Sequence, residues 1–599
     1  MPAPSPYAGL VDTTVQLKIK LGGSDMSDLY GIQSINVTHS VNKISIAEVV
    51  LRGEVEIDSG SIPITDGDDF SPGVKIQILA GYNDVAVQSI FTGFIVKHIV
   101  ELSAESFYTF KIICKHEAVK MTYNAVERYF TAKTDDSIIK EILGTYSISC
   151  SVDAATESYE SMYQKMGTDW DFILSRADFN GFIVCLDGDD VSIKKPAIAS
   201  SPVLLLEAGV SMISFEGELN AEGQPTGIEA SAWDVTTVAL IKSTAAEPSV
   251  NSQGNITPQT LSTKLSQGQL KVISPVPMTS SDLQGWANGM LLRKRLSAFK
   301  GRVKFIGNAT IKTGNLVTIA GVGKKLNGNA FVSSVMHNID TDNWSTTLIF
   351  GLDNRLIHEK ESFSYAPATG QLPAMQGIHL ATVKKIDADP AGISRIQVTI
   401  PSNAETEAGI WARMVSFYST ADAGSFFIPE VGDEVAVGFF DNDPRYPVIL
   451  GSLYNGKNKP PYTVESTNKI KAIVTKSKMK IEFDEDKKII TLVTPGANTI
   501  IISDDGKSIE LKDQNSNSVK LSSDGITLDS PKDINIKAKG NITLDAVGKV
   551  SVTAKQDTAI AGMNVTATAQ VGFTAKGNAT AEVSASGQTT IKGGIVMIN

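Results

Sequence analysis

Asp533-Ile-Asn-Ile-Lys-Ala-Lys-Gly-Asn-Ile-Thr-Leu-Asp-Ala-Val-Gly-Lys-Val-Ser-Val552 sets apolar residues in pairs, Ile534/Ile536, Ile542/Leu544 and Val550/Val552, one pair every eight residues. Thr558/Ile560, Val565/Ala567, Phe573/Ala575, Ala581/Val583 and Thr589/Ile591 continue the series with a single step of seven. Gly540, Gly548, Asn564 and Gly572 fall near the ends of units. Two inward apolar positions and a corner residue at a fixed period are the mark of a β-helix. A single-chain β-helix needs about three faces per coil, hence a period near 20 residues. Eight residues give one face of about 26 Å, which cannot bury itself. The spacing therefore predicts that three chains share each layer, as an intertwined trimeric needle over residues 461–599.

The composition of the whole chain hides this segment. The 599 residues are 42% hydrophobic and 20% charged, with a mean hydropathy of zero, which excludes a wholly disordered chain. Yet of 41 aromatic residues only Tyr462, Phe483 and Phe573 lie beyond residue 461. The axis of a thin prism has room only for small and β-branched residues, so the aromatic-poor end and the octads have one cause. A net charge of −11 argues against nucleic acid as a partner, since phosphate binding needs a basic face. Cys114, Cys150 and Cys185 show neither zinc spacing nor a disulfide framework, as for a chain made in a reducing compartment. Met1-Pro-Ala-Pro-Ser-Pro6 has no basic start and no apolar block, so no signal peptide is expected. No run of about 20 apolar residues spans a bilayer.

Upstream, period-two alternation such as Val15/Leu17/Ile19/Leu21 predicts β structure over 11–115 and again over 200–365. Residues 116–200 read as mixed. Thr134 caps a helix with Ile138, Ile139, Ile142 and Leu143 on one face and Gly144 as its stop. Thr168-Asp-Trp-Asp171 opens a second helix, which ends at Asn180-Gly181. Asp187-Gly-Asp-Asp190 joins a hairpin. One more helix is expected at about 281–299, and a linker from Pro367 to about Pro373. Thr382–Ile386, Ser394–Ile400, Ala412–Val415, Glu434–Phe440 and Val448–Leu450 give five short strands, which suit an OB-fold. The expected class is mainly β: two β-barrels with a small α/β insertion in 1–373, an OB-fold in 374–460 and the needle in 461–599.

Three stretches carry a family resemblance. Ser161-Met-Tyr-Gln-Lys-Met-Gly-Thr-Asp-Trp-Asp-Phe-Ile-Leu-Ser-Arg176, Phe427-Ile-Pro-Glu-Val-Gly-Asp-Glu-Val-Ala-Val437 and Asn442-Asp-Pro-Arg-Tyr-Pro-Val-Ile-Leu-Gly-Ser-Leu-Tyr-Asn455 resemble the VgrG spike proteins of contractile injection systems. Those systems include type VI secretion, extracellular injection particles and contractile phages. The resemblance implies a homotrimeric hub joined to the inner tube and to baseplate proteins, and a needle that punctures a target membrane. It also implies a PAAR-type tip protein and possible effector cargo. Such a protein is made in the bacterial cytoplasm and delivered or released by the particle. Gly593, Gly594, Ile595, Val596, Met597, Ile598 and Asn599, small or apolar and uncharged, are the expected platform for the tip protein. The phage version carries a lysozyme between OB-fold and needle; only about 15 residues separate them here.

No enzyme, cofactor or metal site is expected. Asp66-Gly-Asp-Asp69, Asp187-Gly-Asp-Asp190 and Asp504-Asp505 lack the calcium loop with its distal glutamate and read as turns. Gly321-Val-Gly323 lacks phosphate-loop spacing, and Gly432-Asp433 reads as a hairpin turn. His98, His337, Cys114 and the Trp170 stripe read as packing residues. Two rival readings remain: a phage tailspike with β-helical polysaccharide depolymerase activity, and a passive adhesin fibre. The depolymerase predicts clustered acids or aromatics on the needle, where the only acids in the half toward the C-terminus are Asp545, Asp557 and Glu582.

Overall fold

The computed structural model describes residues 3–27, 30–55, 62–83, 85–103, 107–341, 343–359, 367–401 and 409–598. The chain divides into two units, Met1–Asn455 and Gly456–Asn599.

Alternation builds the first unit. In the strand Phe107–Lys115 every second residue, Tyr108, Phe110, Ile112 and Cys114, is buried. Such strands assemble into one 13-stranded sheet. Most strands of the two β regions read from the sequence make its two halves, with apolar cores of their own, while Gly227–Asp234, Ala239–Thr244 and Gln269–Ser274 form a separate three-stranded sheet. Gly31–Ser40 and Gly328–Asp340 stitch the two halves together, with Val335 opposite His39 and Ile339 opposite Ile35.

The insertion has its own core around Ile138, Ile142, Trp170, Ile173 and Leu174. Its helix Asp135–Thr145 runs past Gly144: Tyr146 is the C-cap, and Ser147 (φ 56°) takes the left-handed position expected of the glycine. The helix Asp169–Phe179 starts as expected, with Thr168 accepting from the Asp171 N–H at 3.1 Å. It ends at Asn180, with Gly181 at φ 69°. Gly181 has a second duty. A Cβ there would lie 2.6 Å from the Cα of Gly289, in the helix Ser280–Leu296, so the two backbones touch. A further helix, Pro258–Lys264, was not anticipated, although Thr257 caps it and Pro258 occupies its first turn.

His379–Lys385, Ile396–Thr399, Ile410–Met414, Glu434–Phe439 and Pro447–Leu453 close into a five-stranded barrel, the expected OB-fold. Inward residues Val383, Val398, Ala412, Val435, Val437 and Ile449 fill it. Pro367–Gly370 is a turn of 3-10 helix with Ala368 fully buried, and Met375 donates to the Asn442 carbonyl at 2.9 Å. The expected linker is thus packed structure in this part. Among the described residues no helix is long and apolar enough to cross a membrane.

In the second unit seven five-residue strands, from Ile470–Val474 to Gly525–Asp529, form an antiparallel meander. This departs from a uniform octad needle: strand, turn and returning strand repeat over 470–529, and the octads begin after it. The described residues 530–598 carry no strand within the single chain.

Candidate functional site: an open apolar face on the C-terminal sheet

The meander puts every second residue of each strand on one face. Cross-strand register aligns Ile473, Ile481, Leu492, Ile500, Leu511, Val519 and Leu528 in one column. Phe483, Ile490, Ile502, Ile509, Leu521 and Ile526 form a second column beside it. The central column of the opposite face reads Ala472, Glu482, Thr491, Ile501, Glu510, Lys520 and Thr527. One face is therefore apolar and the other largely polar, the pattern of a sheet with a single buried side. Among the described residues nothing covers that side: Ile502 is 41% and Leu511 43% exposed.

The turns fix the register. Lys478, Ala497 and Ser516, nineteen residues apart, each adopt a positive φ, and so do Lys488 and Lys507 at the same interval. This nineteen-residue hairpin repeat escaped the sequence reading because the turn residues differ in each copy. Backbone and side-chain bonds hold the turns. Thr494 donates to the Asn498 carbonyl at 3.0 Å, and Asp513 accepts from the Asn515 and Asn517 N–H groups at 2.9 and 2.8 Å. Those bonds and the Asn517 side chain hold the Asp513 carboxyl below the usual range. At the start of the sheet Tyr462 and Lys480 both donate to Glu482.

The octad pairs beyond the meander are also exposed, with Ile534 at 53% and Val552 at 75%. At the end, Gly594 lies in a bend, and Ile595, Val596, Met597 and Ile598 are exposed, as is Gly593. Asn599 lies outside the described residues.

The residues weighed for chemistry have ordinary duties. Asp187 pairs with Lys312 and Asp189 with Lys75, so the acidic hairpin turn is clamped by lysines. His337 is buried, its Nδ1 3.1 Å from the Thr346 hydroxyl, and His98 Nδ1 lies 3.4 Å from the Phe70 carbonyl oxygen. Burial pushes the Cys114 thiol up to about 12, as for a core residue. Trp170 is buried in the insertion core. Among the described residues no three metal-ligating side chains come together. Gly432 (φ 91°) turns the chain into the fourth barrel strand and donates to the Val383 carbonyl at 2.8 Å, so the turn ties first and fourth strands together. In Asn442-Asp-Pro-Arg, the Asp443 carboxylate accepts from the Arg445 N–H at 2.9 Å and from its guanidinium at 2.6 Å.

Residues 11–341, more than half of the chain, match the model of the Alg8 N-terminal domain. Residues 379–454 match that of the type VI secretion system/phage-baseplate injector OB domain. The type VI secretion system spike protein VgrG2a of Pseudomonas aeruginosa is 30% identical over 125 residues, 19% of this chain and 15% of that protein. The chain belongs to the Alg8 N-terminal domain family, and part of it is similar to VgrG spike proteins. Another VgrG relative, the actin cross-linking toxin VgrG1 of Vibrio cholerae, is 33% identical over 101 residues, 15% of this chain and 9% of the toxin. The matched stretch thus spans only a small part of the length of these VgrG relatives. Among solved structures, a 43 kDa tail protein of prophage MuSo2 from Shewanella oneidensis has a TM-score of 0.43 at 13% identity, covering 56% of this chain and 98% of its own. A chain of the lidded Francisella PdpA-VgrG complex has a TM-score of 0.40 at 11% identity, covering 84% of this chain and 80% of its own.

Proposed function

We propose that three copies of this chain form the hub and central spike of a contractile injection system. Residues 1–373 are the hub, 374–460 the OB-fold collar and 461–599 the needle. The observation that carries this reading is the pair of apolar columns from Ile473 to Leu528, open in the single chain and prolonged by the octads. Three such sheets with their apolar faces inward make a closed prism. Each large side chain it buries contributes about 1.5–3 kcal/mol. Closure also removes free sheet edges, and a prism of saturated backbone hydrogen bonds bears axial load. Sheath contraction drives it through the target membrane.

The hub joins the inner tube and baseplate, three chains with two β halves each offering six similar positions. Gly593–Asn599 seat a PAAR-type tip protein, and effectors ride on the assembly. The chain itself performs no catalysis and binds no nucleic acid. Light scattering of the purified full chain tests this directly: three times the 63.9 kDa chain mass is expected, and a monomer at all concentrations sinks the needle. Retention of the tip protein after removal of residues 593–599 refutes the platform, and cleavage of a polysaccharide by the purified chain refutes the non-enzymatic role.

A further inference from the structure

A groove of about 860 Å³ opens beside the helix Asp169–Phe179. Its floor is apolar, with Phe179, Trp233 and Val276 among its residues. Trp233 is 44% exposed and Val276 59%. The apolar area runs on outside the groove. Leu240 lies opposite Trp233 across the strand pair, Ile273 lies opposite Ser231, and both are exposed. A contiguous apolar patch with a charged margin marks an interaction surface.

The margin has one sign. Glu157, Glu160, Asp234 and Asp282 all line the groove, and the one cation among its described residues, Arg176, is already spent. Arg176 makes two bonds to buried Asp135, at 2.7 and 2.8 Å, and its guanidinium lies 4.6 Å from the Phe179 ring centre. It also donates to the Tyr159 hydroxyl at 2.9 Å, which passes a hydrogen bond to Asp282 at 3.1 Å. Bonds from Thr236 and Thr237 keep Asp234 ionised. The carboxylates stand around the groove and do not converge on a point, so a bare metal ion is not its ligand; among the described residues they form no metal-binding cluster.

We propose that this groove docks a basic amphipathic segment of a partner protein, its apolar side chains on Trp233 and Val276 and its lysines or arginines against Glu157, Glu160 and Asp234. Tryptophan beside carboxylates suits such a segment twice over, as an apolar anchor and as a face for a cation. The site lies wholly within residues 157–282 and stands or falls separately from the needle.

The test uses the full chain and a fluorescein-labelled peptide of leucine and lysine at helical spacing, read by anisotropy, with a leucine–glutamate peptide as control. The lysine peptide binds and the glutamate peptide does not. Trp233→Ala weakens binding about tenfold. Glu157→Gln with Glu160→Gln weakens it about three- to tenfold and flattens its salt dependence. Photo-crosslinks from the bound peptide fall on residues 157–160, 233–234 and 276–282. Equal affinity for the parent and the exposed-rim variant, Glu160→Gln with Glu157→Gln, overturns the proposal even if Trp233→Ala misfolds. So do crosslinks scattered over the acidic chain, or a groove that rejects the peptide because a second copy of the chain fills it.

Discussion

The barrel His379–Leu453 and the meander Ile470–Asp529 are written in the same alternating hand, yet they end differently. In the barrel Val435, Val437, Val398 and Ala412 are fully buried because five strands curl until the first meets the fourth. In the meander the equivalent residues, Val519 excepted, stay more than a third exposed, because seven strands follow one another without returning. Alternation tells which residues share a face. Closure decides whether the chain can cover that face alone.

The sharpest way to break this contrast is a charge in each place. Ile502→Asp, at the middle of the open face, abolishes association of the full chain in light scattering while the first unit stays folded by circular dichroism. The cost of a buried unpaired carboxylate exceeds what one missing side chain would forfeit. Ile449→Ala in the barrel lowers stability by about 2–5 kcal/mol. Its melting temperature is independent of protein concentration, whereas melting of the C-terminal unit rises with concentration, as for any structure held by association.

Acid separates the units as well. Burial holds His116 at about 4 and His337 at about 3, against the ordinary 6.5, with nearby His39 adding a smaller push. Both are neutral when folded, and the unfolded chain takes up their protons first. Their stabilisation is complete above pH 6.5 and drains as pH falls through the window toward 4 and 3, up to about 3 kcal/mol for His116 and about 5 kcal/mol for His337. The second unit has no histidine, since the last is His379. Hydrogen exchange between pH 6.5 and 4.5 then shows protection lost in Gly328–Asp340 and kept in Ile489–Val493, and His116→Asn reduces the loss. The smallest effect belongs to the turns. Ala497→Gly relieves a left-handed alanine and raises the melting temperature of the C-terminal unit by the equivalent of about 0.5–1 kcal/mol.

Local chemistry made much of this legible. The five barrel strands follow from alternation, and Thr168 with Gly181 bounds its helix as capping rules require. Local signals misled at Gly144, where the last turn ran on to Ser147, and were passed over at Thr257-Pro258. Nothing local announces that Asp135 and Arg176 pair inside the insertion, or that Arg295 lies buried against Glu247 at 2.6 Å. Those partners are 41 and 48 residues apart, and only the packed fold brings them together. The octads pointed to an open face, but the hairpin repeat before them did not show. Its signature is a backbone angle at Lys478, Ala497 and Ser516, with no shared side chain.

The seam of the large sheet sets a schedule for biosynthesis. Ser334 donates to the His39 carbonyl across 295 positions of sequence. A ribosome adding about 5–20 residues per second therefore leaves the early strands waiting roughly 15–60 s for their neighbour. The strands Ile46–Glu54 and Phe107–Lys115 can pair meanwhile, leaving Gly31–Ser40 as a waiting edge until residue 340 has emerged. The adhesive stripe of the C-terminal sheet is translated only after that edge has been closed. A nascent chain thus never offers both hazards at once.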